Sequence, residues 1–242
     1  MNQSINFNFW VVNFLFAVLF YSCNSNDPTK YSSGNKDNRS DSIEPSDIYV
    51  NDLPNGLEGL VGDFYQGKTW HDNNGENLLA LTYGSGRTFQ NRSLHGFHYI
   101  RQNGKYRLAW KMIDFVNDCE FSLICEFLNN ATTITDLDKN GIAEIKLQYQ
   151  LNCASEPGGN TMKLLMYENG NKRALRGVRW MDLNNYSNTN FPYSMKELNA
   201  DISGESDNGG RYDSDKDFRN APPIFLDFAQ REWIKYVIQA AD

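Results

Sequence analysis

The chain has 242 residues, of which 30 are acidic and 23 are basic, so its net charge is -7 at pH 7. This length is enough for a sizeable core in one or two domains. Nucleic acid is excluded as a partner, because phosphate binding needs clustered Lys and Arg, and here the basic residues are scattered among more numerous acidic ones. Aromatic residues make up 14% of the chain, which favours strands over helices.

The N-terminal segment has the pattern of a lipoprotein leader. Residues 9–21, FWVVNFLFAVLFY, form an apolar run that is too short to span a bilayer as a helix but typical of a signal-peptide core. It ends in a small residue followed by Cys23, which resembles a bacterial lipobox. The preceding MNQSINFN lacks the usual positive charge, and the alternative is a buried strand with an ordinary cysteine. We predict a signal peptide over 1–23 and a lipid on Cys23.

A polar tether is predicted after the lipidated cysteine. Residues 24–46 are almost all Ser, Asn, Asp, Lys, Gly and Pro, with too little apolar surface to offset the entropy of ordering, so we expect a disordered linker. It would hold a single β-rich domain, 47–242, at a membrane. The expected location is the cell envelope, lipid-anchored at the outer membrane and facing either the periplasm or the surface.

Two short patterns recur at an offset of 66 positions, which indicates an internal duplication. The stretch DNNGENLLAL begins at Asp72 and DKNGIAEIKL begins at Asp138, and Asn-Gly occurs both at 103–104 and at 169–170. Asn-Gly between apolar segments predicts a hairpin, because both residues tolerate the positive φ of a type I′ turn. The units would cover about 59–124 and 125–190. Chance alignment of common turn dipeptides is the alternative.

The predicted fold is mainly β, with two antiparallel meander units and a C-terminal helix. Strands are expected in seven segments, namely 77–83, 95–102, 105–114, 121–128, 143–152, 161–168 and 171–180. The units resemble propeller blades, but two cannot close a ring, so a sandwich of two sheets or one continuous meander remains. A polar, irregular stretch is expected over 183–221. A helix is predicted over about 222–240, where apolar residues recur at helical spacing.

The loop TDLDKNGIAE has the spacing of a calcium site. Counting from Asp136, the side chains of Asp138, Asn140 and Glu144 fall at positions 3, 5 and 9, and Ile142 would supply a carbonyl at position 7. Leu147 stands at position 12, where an EF-hand needs a glutamate, and a strand follows. The loop therefore matches the strand-flanked calcium loops of integrin-type propeller repeats. The alternative is an Asx-rich turn satisfied by its own backbone.

The cysteines predict one disulfide in an exported chain. If segments 121–128 and 144–152 pair as antiparallel neighbours, Cys119 and Cys153 lie at opposite ends of a shared register, and we predict a bridge between them. Cys125 is expected to be a buried thiol outside that bridge.

Other chemistry-bearing residues are interpreted as structural. His95 and His98 would point to opposite faces of a strand, which argues against a shared metal. A set of aromatic residues could form a sugar-stacking face but more often fills a β core: Trp70, Tyr106, Trp110 and Trp180. Carboxylates such as Asp114 with Asp118, or the acidic loop around 213–217, are not assigned as a catalytic pair.

Several stretches resemble a Bacteroidetes lipoprotein family of the Riemerella type, whose members are described as surface polysaccharide biosynthesis proteins. The resemblance runs from about 60 to 240 and is carried by NGENLLALT, HYI, WKMIDFVNDC, ITDLDKNGIAE, MKLLMYENGNKRALRG and APPIFLDFAQREW. It implies a role in lipopolysaccharide or capsule assembly and supplies no catalytic residues. Our leading hypothesis is a non-enzymatic domain that binds glycan or an assembly protein. The alternatives are an envelope glycan-acting enzyme that uses the acidic loop at 201–217, and a calcium-stabilised structural module with protein partners.

Overall fold

A computed structural model of the chain describes residues 43–84, 88–156, 158–182 and 209–240. The predicted signal peptide, the lipidated Cys23 and most of the predicted linker lie outside these residues. So does the larger part, 183–208, of the stretch predicted to be irregular.

The first sheet has five antiparallel strands in chain order. Its strands are β1 (Ser46–Ile48), β2 (Asp63–Asp72), β3 (Gly75–Tyr83), β4 (Arg92–Gln102) and β5 (Lys105–Val116). A short 3-10 turn, Val50–Asp52, lies between β1 and β2.

The second sheet is also antiparallel and has the order β10-β9-β8-β6, with β7 also pairing β8. Its strands are β6 (Ser122–Phe127), β7 (Thr133–Thr135), β8 (Glu144–Ala154), β9 (Thr161–Glu168) and β10 (Asn171–Val178).

The C-terminal part adds a helix and a small parallel strand pair. After a 3-10 turn at Lys216–Phe218, helix α1 runs over Pro223–Val237. Strand β12 (Ile238–Ala240) then pairs with β11 (Trp180–Asp182). The prediction of a mainly β fold with two antiparallel units and a C-terminal helix is confirmed.

Both predicted Asn-Gly turns close hairpins. In β4–β5 the turn is Asn103-Gly104, with φ of 51° and 76°, and in β9–β10 it is Asn169-Gly170, with φ of 46° and 79°. Two successive residues with positive φ are the signature of a type I′ turn, which suits the twist of paired strands. The meander β2–β5 and the meander β7–β10 therefore correspond at the offset of 66.

The two sheets pack face to face, so the sandwich is observed rather than the blade-like arrangement. Alternate residues of β3 and β8 point inward into one shared core, which includes Leu79, Leu81, Leu147 and Tyr149. Period-2 alternation places these side chains on one face of each strand. The sandwich core is thus built from both sheets.

The outer face of each sheet is covered. The segment between β1 and β2 packs Leu53, Leu57 and Leu60 against the first sheet. On the second sheet α1 buries Phe225, Ala229, Trp233 and Val237 against residues such as Leu164 and Leu175.

A buried ion pair also joins the helix to the second sheet. The Lys146 side chain is 1% exposed and pairs with Glu232 of α1, and burial lowers the pKa of this lysine. Its ammonium also lies over the Tyr236 ring. The helix is therefore docked by both apolar burial and one charge pair.

Several element boundaries differ from the predictions. The helix ends at Val237 rather than 240, because residues 238–240 form β12. The segment predicted as one strand over 171–180 is interrupted after Val178. The strand predicted at 121–128 was grouped with the first unit, but β6 pairs β8 in the second sheet. Strands β1, β2 and β7 were not predicted, and Ser46, the last residue of the predicted linker, lies in β1.

No helix in the described parts of the chain has the length and apolar character needed to cross a membrane.

Candidate metal centre

The acidic loop connects β7 to β8 at one end of the sandwich. Thr135 pairs with Glu144 across the base of the loop, so residues 136–143 project beyond the second sheet. Gly141 has φ of 79°, and a Cβ there would lie 2.2 Å from Asn73 Nδ2. The glycine is thus required both for the backbone conformation and for the close approach of the β2–β3 turn.

Three predicted ligands converge in this loop. Asp136, Asp138 and Glu144 can each offer one oxygen, and these oxygens lie within 4.8 Å of one another. Glu144 is fully buried, whereas the two aspartates are half-buried. Three carboxylates at this separation repel one another unless a proton or a cation is present.

The hydrogen bonds of the aspartates leave one oxygen unused. Asp138 accepts bonds from the backbone N–H of Asn140 at 3.2 Å and from its side-chain amide at 3.1 Å. Asp136 Oδ2 accepts the N–H of Gly141 at 3.2 Å. Asp136 Oδ1 is buried and has no hydrogen-bond partner within the part of the chain that is described. A buried carboxylate oxygen is normally paired with a donor or a cation, so Asp136 Oδ1 is the atom of this group that is free to bind one.

Within the described chain, the donors that hold Glu144 are neutral. Its carboxylate accepts the Leu137 N–H at 2.9 Å and the Thr135 hydroxyl at 2.9 Å. Burial raises the pKa of Glu144 from 4.5 to about 7, against the opposing effect of these hydrogen bonds, and the charge of Asp138 adds to the rise. In the described part of the chain, no ion pair joins a Lys or Arg to any of the three carboxylates.

The other two predicted ligands shape the loop. The Asn140 amide oxygen accepts the Ile142 N–H at 2.8 Å, and its amide nitrogen donates to Glu168 at 2.8 Å. Asn140 therefore ties the acidic loop to the end of β9. The Ile142 carbonyl has no contact among the described residues that bears on its predicted role as a metal ligand.

In the equivalent loop of the first unit, the carboxylate of Asp72 is saturated with hydrogen bonds. Asp72 accepts four bonds, from Trp70 Nε1, Asn74 N and Asn77 Nδ2 and, across the sandwich, from Ala143 N at 3.1 Å. The two loops are also joined where Asn73 N donates to the Gly141 carbonyl at 2.8 Å. The first loop therefore supports the second. Within the described chain, only the second loop brings three carboxylates close together.

The histidines lie on opposite faces of the first sheet. His95 is on the outer face, with ring nitrogens near the Thr82 hydroxyl at 3.4 Å and the Ser93 hydroxyl at 3.1 Å. His98 is on the inner face, stacked on Trp70 with ring centroids 5.4 Å apart. The two imidazoles do not share a site.

The predicted aromatic set does not form one face. Trp70 and Trp110 contact the sandwich core, whereas Tyr106 packs on the outer face of the first sheet. Trp180 lies in β11. Tyr167, which the sequence patterns did not single out, stacks its ring on Trp110 with centroids 4.0 Å apart.

Asp114 and Asp217, two of the acidic residues weighed for catalysis, are engaged in structural pairs. Asp114 accepts bonds from the Tyr149 hydroxyl at 2.8 Å and from Lys163 at 2.6 Å. Asp217 pairs with Arg176 at 3.1 Å. These contacts account for both carboxylates without a reaction.

A disulfide joins Cys119 to Cys153, the pair favoured from the sequence, with Cα atoms 5.7 Å apart. The pairing of β6 with β8 brings Cys153 opposite Leu123, close to the preceding Cys119. Cys125 is buried in the core and lies outside the bridge.

Comparison with family models, with curated proteins and with solved structures finds no match to this chain. The resemblance described above therefore stays a prediction, and the function must be argued from the residues. A group of carboxylates capable of holding a metal ion is the feature that these residues establish.

Proposed function

We propose that this protein is a calcium-stabilised, non-enzymatic β-sandwich module, held at the cell envelope by a lipid on Cys23, that supports surface polysaccharide assembly. The observation that carries the metal part is the convergence of three carboxylates, one of which, Asp136, has a buried oxygen without a hydrogen-bond partner among the described residues.

Calcium is the metal that suits this donor set best. The described loop offers oxygen atoms only, which disfavours zinc, a metal bound mainly by Cys and His. Magnesium demands near-ideal octahedral geometry, whereas calcium accepts six to eight oxygens in a flexible arrangement. An irregular loop with side-chain oxygens from Asp136, Asp138 and Glu144 fits the second description.

The ion would act by stabilising the native state. It would neutralise three close carboxylates and provide a partner for Asp136 Oδ1. A ligand that binds only the folded state stabilises it by about 2.7 kcal/mol when its concentration is a hundred times the dissociation constant. This ion would therefore stabilise the end of the sandwich where both repeat loops meet.

The envelope part of the proposal is supported by different features. The Cys119–Cys153 disulfide suits an oxidising compartment, as do the leader-like segment and Cys23. The role in polysaccharide assembly is supported by the family resemblance.

The metal is tested by thermal unfolding in calcium, in magnesium and in EGTA. We expect calcium to raise the midpoint and Asp136→Asn to remove that rise. Asp118→Asn is the matched control, because Asp118 is exposed and outside the acidic loop. Equal midpoints in calcium and EGTA, or an equal loss in both variants, would contradict the proposal.

The cellular role is tested by deleting the gene and comparing the gel profile of surface polysaccharide. We expect an altered profile that the intact gene restores and a Cys23→Ala version does not. An unchanged profile after deletion would count against a role in assembly.

A further inference from the structure

A cleft of about 170 Å³ opens beside the acidic loop, between the inner faces of the two sheets. Its floor includes the buried His98, Ile145 and Tyr167, and its rim includes the exposed Ala109 and Asn169. A floor of buried groups below an exposed rim gives the cleft a mouth. None of its floor residues belongs to the carboxylate group.

His98 lines this cleft and carries one buried ring nitrogen that is unused. Its side chain is 7% exposed, and its Nδ1 has no hydrogen-bond partner in the described chain. A buried polar atom without a partner costs free energy, so its persistence at a cleft points to a ligand.

The neighbouring hydrogen bonds fix what kind of atom Nδ1 is. The Asn77 amide nitrogen donates to Asp72 Oδ1 at 2.9 Å and to the Gly75 carbonyl at 2.8 Å. The Asn77 oxygen is therefore the atom that faces His98 Nε2 at 2.9 Å, and Nε2 must donate to it. The proton is thus on Nε2, and Nδ1 is left as an acceptor.

Burial keeps this imidazole neutral. It lowers the pKa of His98 from 6.5 to about 4, although the charge of Asp72 opposes the change. Nδ1 therefore remains an acceptor at neutral pH. Asp72 already accepts four hydrogen bonds, so His98 is the better acceptor for an incoming donor.

A β-bulge shapes the apolar wall. His98 pairs with Trp110 while Tyr99 pairs with Leu108, so Ala109 is the extra residue in β5. The bulge lets two successive residues, Ala109 and Trp110, line the same cleft. Trp110 is fixed by its stacking on Tyr167.

We propose that this cleft binds a single ring that carries a hydroxyl group, with the hydroxyl donating to His98 Nδ1 and the ring packing between Trp110 and Ile145. A cavity of about 150 Å³ accepts one benzene molecule, so the volume suits one ring. A sugar residue and a phenolic ring both have this chemistry. The cleft does not require the metal ion. Only the identification of the bound ring as a sugar rests on the proposed polysaccharide function.

The test uses phenol, toluene and methyl glucopyranoside with the full chain. The nitrogen NMR signal of His98 Nδ1 reports a hydrogen bond to that atom directly. We expect phenol to shift this signal and toluene, in which a methyl replaces the hydroxyl, to bind at least about tenfold more weakly. Binding of the glucoside identifies a sugar source, and binding of phenol alone identifies an aromatic one. Equal affinity for phenol and toluene, or no binding of any probe, overturns the proposal.

Variants locate the binding. His98→Phe keeps a ring but removes the acceptor, and Ala109→Leu fills the mouth from an exposed position without touching the core. Each is expected to weaken phenol binding by about tenfold, and Lys111→Leu, exposed on the same strand, is expected to leave it unchanged. Unchanged binding in Ala109→Leu overturns the assignment even if His98→Phe fails to fold. Phenol is titrated both in calcium and in EGTA. Loss of binding in both contradicts the cleft, whereas a protein that binds phenol but shows no effect of calcium on its thermal unfolding contradicts only the metal loop.

Discussion

Replacing Glu144 with glutamine is expected to stabilise the metal-free protein above neutral pH. The Glu144 side chain is buried, and burial raises its pKa from 4.5 to about 7. A carboxyl whose pKa is higher in the folded than in the unfolded state binds more protons when folded. Its cost to stability is therefore absent below pH 4.5, grows as the pH rises, and is complete above about 7. Glutamine carries no charge and removes this cost.

The magnitude follows from the two pKa values of Glu144. Their difference corresponds to about 3 kcal/mol at pH 8, which is an upper limit, and to less than about 1 kcal/mol at pH 5. The glutamine amide oxygen can still accept the Leu137 N–H. Its amide nitrogen can donate to the facing carboxylates of Asp136 and Asp138.

The assay is urea denaturation in EGTA at pH 5 and pH 8, with the exposed Glu44→Gln as control. The gain in stability of Glu144→Gln should appear at pH 8 and shrink at pH 5, while Glu44→Gln follows the wild type. Adding calcium should reverse the order at pH 8, because the variant loses a charged ligand. A Glu144→Gln protein that is less stable than wild type in EGTA at pH 8 would refute the reasoning.

Three further sets of substitutions test the structure. Changing Cys119 and Cys153 to alanine should lower the free energy of unfolding by about 4 kcal/mol, the chain-entropy value for a bridge across 34 residues, measured by urea denaturation without reductant. Lys146→Met should cost up to about 3 kcal/mol, because it removes the buried partner of Glu232 and leaves this carboxylate only the exposed Lys235, at 3.9 Å, and adding Glu232→Leu should recover most of it in a double-mutant cycle. Trp233→Ala should cost about 3 to 5 kcal/mol in thermal unfolding, because this fully buried indole also donates to the Gly210 carbonyl. An unchanged stability in any of these variants would contradict the corresponding contact.

Features with a local cause could be predicted from the sequence. The Asn103-Gly104 and Asn169-Gly170 turns have strict backbone requirements, and both hairpins are present. The acidic loop was visible because ligand spacing is local. Strand β2 was missed because its bulge at Tyr65 and its Gly67 break the alternation of apolar residues.

Features that depend on distant partners could not be predicted. The helix stops at Val237 because Ile238–Ala240 pair with Trp180–Asp182, more than fifty residues earlier. The unused acceptor of His98 likewise depends on Asn77 and Asp72, which lie on neighbouring strands. The sequence of β4 alone predicts only a buried histidine.

Residues Ile142 and Ala143 belong at once to the acidic loop and to the wall of the cleft, and the Ala143 N–H is bonded to Asp72. An ion in the loop and a ring in the cleft would therefore share one short backbone segment. Thermodynamic reciprocity requires that any factor by which the ion alters the affinity for the ring is the factor by which the ring alters the affinity for the ion. If that factor differs from one, a change in the calcium level of the compartment would change the occupancy of the cleft.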